Sequence, residues 1–199
     1  DLHHGDNPIS TLSDYLSRES HDSVMLTFNP NLMESVRSSI SIPVNSFPPS
    51  FFRYPIAERS KTPKLSLVHI GSIGKYHQLR RELVNELLHR KTIPFEHFTT
   101  NSAESAAELY SNYAIALNIP LNKDLNHRFF EIMASGVPQI IFGNKSILGP
   151  YTSIAERKDL FWASSVEEIE AITNHLLSNY KQLKELTITP PPYISIQRL

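Results

Sequence analysis

Between Lys64 and Leu186, five short apolar runs alternate with helical segments, and that rhythm limits the fold more than any other feature of the chain. Residues 65–70, 95–98, 113–120, 139–142 and 161–163 read as strands. Between them, residues 78–90 predict an amphipathic helix with Leu79, Leu83, Leu87 and Leu88 on its inner stripe. Residues 103–112 predict a helix capped by Asn101 or Ser102, and 147–156 a short helix. A long covering helix is expected from Val166 to about Leu186, with Ile169, Ile172, Leu176 and Leu177 towards the sheet. Each helical crossover returns the chain to the same end of the sheet, so the strands run parallel and both faces need cover. The expected fold class is therefore α/β, a Rossmann-like parallel sheet with helices on both faces. Upstream, residues 9–18 and 32–38 read as helices and 23–28 and 40–44 as strands, followed by a proline-rich stretch at 45–55 and an exposed linker at 58–64. Residues 187–199 read as an extended tail.

One unit within this pattern carries local chemistry. From Asn126 the chain reads as a short helix, which Asp124 or Asn126 can cap by accepting from first-turn N–H groups. Gly136 suits the left-handed residue that closes a helix, and Pro138 blocks its continuation. Phe129 and Met133, with Phe130 or Ile132, form the buried stripe, and Arg128 and Glu131 fall three apart on a neighbouring face. That pair reads either as a solvent-exposed ion pair or as a carboxylate for a ribose hydroxyl beside a guanidinium for a phosphate. A second loop, Gly71-Ser72-Ile73-Gly74-Lys75, follows a strand and precedes a helix, where glycine lets an anion approach backbone N–H groups. It lacks the Ser or Thr of a Walker loop and the third glycine of a dinucleotide fingerprint. In open parallel sheets ligands sit beyond the strand C-termini where strand order reverses, so this loop and residues 118–125 should face one crevice.

The run Phe130-Glu131-Ile132-Met133-Ala134-Ser135-Gly136-Val137-Pro138 resembles the Phe-Glu-x-Met-Ala-x-Gly-x-Pro stretch of GT-B glycosyltransferases of the group 1 (GT4-like) superfamily, particularly their spore-maturation-type branch. In that branch an Asn and an Arg just before Phe-Glu are common, matching Asn126 and Arg128. The resemblance implies that Glu131 binds the ribose of a nucleotide-sugar donor and that Arg128 and Arg80 meet its diphosphate. It implies close backbone contact for Gly71 and Ser72, and places Asn126 and Lys123 among the donor-binding residues. Lys123 stands where many relatives carry another glutamate, a departure that touches the donor-sugar contact. The family needs no essential metal, and the implied donor is a nucleoside diphosphate sugar, UDP-linked, with no further cofactor. The acceptor, a glycan, protein or small molecule, and the catalytic base are not implied.

Other classes fall away on composition. A net charge of −1 gives no electrostatic grip on nucleic acid or an anionic membrane, and no apolar run is long enough to span a bilayer. Zero cysteines remove disulfides, thiolate zinc sites and cysteine nucleophiles, and fit a cytoplasmic location. His3 and His4 read as a loose end, no histidine pair has zinc-site spacing, and His77 and His127 are the two expected to flank the crevice. Tyr54, Phe51 and Phe52 read as packing beneath a linker. The chain opens at Asp1 without methionine, which predicts a piece of a longer protein.

The expected organisation is the end of an N-terminal acceptor-side domain at 1–50, a hinge at 51–63, the nucleotide-sugar-binding Rossmann-like domain at 64–186, and the tail. This corresponds to the C-terminal half of a GT-B fold. The expected activity is sugar transfer, poor in the isolated chain because GT-B sites lie between two domains. The alternatives are a non-catalytic nucleotide- or partner-binding module on the same fold, or a sugar-nucleotide epimerase.

Overall fold

The structure, a computed structural model, describes residues 25–27, 37–38, 43–46, 54–75, 77–121, 126–148, 154 and 157–185. In chain order its elements are β1 (Met25–Thr27), β2 (Val44–Ser46), β3 (Lys64–Ile70), α1 (Gln78–Arg90), β4 (Phe95–Phe98), α2 (Ala103–Ser111) and β5 (Tyr113–Asn118). There follow α3 (His127–Ala134), β6 (Gln139–Phe142), a 3-10 turn (Lys145–Leu148), β7 (Leu160–Ala163), α4 (Val166–Ser178) and α5 (Tyr180–Glu185). The main sheet has the order β4-β3-β5-β6-β7, parallel throughout, while β1 and β2 form a separate parallel pair.

Strand alternation divides the core between two helical layers. Leu67, Ile115, Leu117 and Ile140 pack with Leu83, Val84 and Leu87 of α1 and Ile169 and Leu176 of α4. Their strand neighbours Val68, Ile70 and Ala116 pack with Ala106 and Tyr110 of α2 and Ile132 of α3. Phe129, Phe130 and Met133 of α3 close the second layer against Ile141 and Leu160. Residues 67–70 of β3 and all of β5 are buried, as central parallel strands with helices on both sides must be.

Local caps set the helix entrances. Ser102 accepts from Ser105 N at 3.1 Å, Asn126 from Phe129 N at 3.0 Å, and Ser165 from Glu168 N at 3.2 Å. Gly136, at φ 64°, is the left-handed exit of α3.

Several expectations are corrected. Leu79 and Leu88 are 42% and 41% exposed, and Arg80 and Val84 take their place on the buried face of α1. The expected long last helix is two, broken at Asn179, whose N–H bonds to His175 O. The described residues at the start of the 147–156 segment form a 3-10 turn that begins at Lys145. The strand expected at 40–44 lies at Val44–Ser46, and the one expected at 113–120 ends at Asn118. The expected tail, the helix at 9–18, His3, His4, Phe51 and Phe52 lie outside the described residues.

Candidate functional site

The chain leaves β3 for β4 on one side and later returns to β5 on the other, so strand order reverses between β3 and β5. Parallel neighbours diverge there at their C-terminal ends, which opens a crevice. The first residue past β3 is Gly71, and the first past β5 is Ile119.

Gly71 is held on every side. Its N–H donates to Phe98 O at 2.8 Å, and its carbonyl accepts from Nε2 of His97 at 2.8 Å. A methyl on its Cα would lie 3.2 Å from Nε2 of His69 and 3.3 Å from Cζ of Arg128. A side chain here would require the His69 and Arg128 side chains to give by a few tenths of an ångström. Beyond it, the exposed Ser72 hydroxyl accepts from Gly74 N at 3.2 Å.

Two arginines converge on this loop. Arg80, only 9% exposed, donates from Nη1 to Ser72 O at 3.1 Å and from Nη2 to Ile119 O at 3.2 Å. It thus ties the two loops of the crevice together. Burial, and then the Arg128 charge, lower its pKa to about 10, which still leaves a cation at neutral pH. Arg128, half-buried in the first turn of α3, donates from Nη1 to the Tyr110 hydroxyl at 3.3 Å. Among the described residues, Arg128 makes no ion pair, so the surface pair with Glu131 allowed by the spacing does not form.

Glu131 lies one turn further along α3, half-buried. With Arg128 it lines a recess of about 240 Å³ whose other wall is Thr100, Asn101, Ser102, Ala103 and Ala106, at the end of β4 and the start of α2. Its Oε2 is covered and, among the described residues, has no hydrogen-bond partner. The recess therefore pairs an acceptor and a cation without letting them neutralise each other.

The sequence-expected residues divide by what holds them. Glu131, Arg128 and Gly71 meet within one neighbourhood, and Arg80 and Ser72 join it through the loop bond. Asn126 caps α3 with its oxygen and donates from Nδ2 to Asn118 Oδ1 at 3.3 Å, so both ends of its amide are engaged. Lys123 lies outside the described residues, as does Asp124, the other cap considered.

Two other histidines, His69 and His97, adjoin Gly71. They are register partners on β3 and β4, and their rings stack at 5.7 Å. His69 is wholly buried, and burial drives its pKa down to about 3, against a smaller upward pull from its bond to Leu117 O. A carbonyl can only accept, so Nδ1 of His69 carries the proton donated to Leu117 O at 2.9 Å. Its Nε2 is then a bare lone pair beneath Gly71, with no partner among the described residues. His77 instead precedes α1, and His127 Nδ1 lies 3.1 Å from the Tyr54 hydroxyl, while the Tyr54 ring stacks on Phe130. Tyr110, His69, His97 and the stretch Thr100–Ser102 carry no sequence motif; for the two histidines and Thr100–Ser102 a position at or just past a strand C-terminus was the available signal, and Tyr110, near the end of α2, had none.

Among the described residues, no group of three or more His, Cys, Asp or Glu could hold a metal, and no helix is long and apolar enough to cross a membrane.

Comparisons with known proteins give the following. A family model described as "Glycosyl transferase-like" matches residues 57–187. Among solved structures, TarM is similar, with a TM-score of 0.59 at 12% identity, covering 94% of this chain and 44% of that one. The pneumococcal O-GlcNAc transferase GtfA, solved with UDP and GlcNAc, is also similar, with a TM-score of 0.48 at 13% identity, covering 82% and 39%. The chain thus spans less than half the length of either structure. No curated protein matches it.

Proposed function

Because the chain belongs to the Glycosyl transferase-like family, we propose that it supplies the donor side of a sugar transferase, binding a nucleoside diphosphate sugar in the crevice between β3 and β5. The fold is the α/β parallel sheet of GT-B enzymes. The observation that carries the proposal is a pair in one recess that, among the described residues, is uncompensated: Glu131 with an unpartnered Oε2 and Arg128 without an ion pair.

A carboxylate accepts from both vicinal hydroxyls of a ribose, and an arginine fork donates to two phosphate oxygens. These groups lie one helical turn apart, a spacing suited to a nucleoside on one side and its diphosphate on the other. In the reaction the bond from the sugar's anomeric carbon to the diphosphate oxygen breaks, and one to an acceptor oxygen forms. Negative charge then grows on the departing diphosphate. Arg128, the buried cation of Arg80 and the backbone N–H groups after Gly71 are fixed before the charge appears, which is what lowers such a barrier. On this reading protein cations do the work, with no metal or further cofactor.

The finer assignments are proposals as well: a UDP-linked donor, the spore-maturation-type branch, a hexosyl group, a cytoplasmic setting, and residues 64–186 as the donor half. Residues 1–50 would then be the end of the acceptor-side domain and 51–63 the hinge. Transfer needs both walls, so the isolated chain should bind nucleotide better than it turns over sugar.

Calorimetric titration of UDP, GDP and ADP into the wild type and Glu131→Ala tests the reading. We expect one nucleotide to bind, and Glu131→Ala to weaken it by about ten- to a hundredfold, the worth of hydrogen bonds to a charged acceptor. Negligible binding of all three by the wild type, or equal affinity in the variant, would sink it.

A further inference from the structure

Arg128 is a long, half-buried side chain. Gly71 backs its guanidinium on one side, and on the other its Nη1 donates to the hydroxyl of Tyr110. That hydroxyl is a fixed point. Tyr110 is wholly buried on α2, in the cluster of Val68, Ile70, Ala106, Ile132 and Val137. Its backbone carbonyl also accepts a long bond from Arg59 at 3.5 Å.

The chemistry of the acceptor matters as much as its position. Burial holds the Tyr110 phenol well above its usual range against the smaller downward pull of the Arg128 charge, so it stays a neutral hydroxyl. A neutral acceptor orients a guanidinium without cancelling its charge. A carboxylate in the same place would pair with Arg128 and compete with an incoming anion. Ordering a free arginine costs rotamer entropy, and a bond made before the ligand arrives removes part of that cost from the binding step.

We propose that Tyr110 is a positioning residue that aims Arg128 at the donor's phosphates while leaving the guanidinium charge uncompensated. This rests on the nucleotide-sugar reading above.

The test uses Tyr110→Phe, which keeps the ring and removes one oxygen, alongside Arg128→Ala and the double variant. UDP and uridine are titrated into each by calorimetry or NMR, and melting temperatures are recorded. We expect Tyr110→Phe to weaken UDP about five- to tenfold, to leave uridine unchanged, and to add nothing once Arg128 is alanine. A merely structural tyrosine would lower the melting temperature and leave the ratio of UDP to uridine affinity where it was. That outcome, or penalties that multiply in the double variant, would overturn the proposal. A wild type that prefers UDP while Tyr110→Phe matches it removes the role of Tyr110 alone. A wild type with no preference for UDP over uridine, nor for GDP or ADP over its nucleoside, overturns the nucleotide reading and this proposal together.

Discussion

Acid should reveal the state of His69. The imidazole is wholly buried, its Nδ1–H bonds to Leu117 O, and its Nε2 lone pair lies beneath Gly71 with Arg128 and Arg80 nearby. Protonation would put a second N–H where no acceptor stands and add a charge beside two cations. The native pKa of about 3 lies below the unfolded value of about 6.5. The folded state therefore binds fewer protons than the unfolded state between these values, and stability falls as pH falls. The contribution is fully present above about pH 6.5 and is lost progressively down to about pH 3. Between pH 7 and pH 5 the loss is about 2 kcal/mol, because only the unfolded chain gains this proton. That figure needs only a native value well below 5. His69→Asn supplies a comparable amide N–H for Leu117 O and cannot titrate, so the difference in pH slope between the two proteins isolates this one ring. Urea denaturation from pH 7.5 to 4.5 measures it. Parallel pH profiles for wild type and His69→Asn would refute the assignment of a neutral, buried imidazole.

Two further outcomes follow from the packing. Gly71→Ala puts a methyl 3.2 Å from His69 and 3.3 Å from Arg128; it should cost about 1 kcal/mol of stability in denaturant titration, and weaken UDP about tenfold as the arginine end gives way. On α1, Leu83→Ala should lose about 2–4 kcal/mol, whereas Leu79→Lys should stay within about 0.5 kcal/mol, since Leu83 is 7% exposed and Leu79 42%. Comparable losses at the two sites, read by thermal melting, would mean that the helix presents a different face to the sheet.

The leucines of α1 also show where sequence reasoning runs short. Leu79, Leu83, Leu87 and Leu88 make a plausible stripe at helical spacing, yet the helix is rotated so that Arg80 and Val84 face inward. The rotation is intelligible once Ser72 O and Ile119 O are seen to accept from Arg80, because two carbonyls past strand ends want donors and a guanidinium supplies both. Nothing in the local pattern announces those carbonyls. The histidines show the same limit. His77 and His127 border recognisable loops, whereas His69 and His97 lie within strands and meet only through the β3–β4 register. By contrast Asn126, Gly136 and Pro138 were legible, since capping, a left-handed exit and a missing N–H are properties of a residue and its neighbours.

What the sequence alone determined is therefore local and periodic: the alternation of strands and helices, the parallel sheet it requires, the caps, and the Arg128–Glu131 spacing on α3. The tertiary structure decided the strand order β4-β3-β5-β6-β7, and with it the crevice, the covered Oε2 of Glu131, and the contacts of Arg128 with Gly71 and Tyr110. The division has a physical cause. Backbone hydrogen bonds and side-chain period act within a few residues, whereas a site at a topological switch point is made by segments far apart in the chain, brought together only when each buries its apolar face against the others.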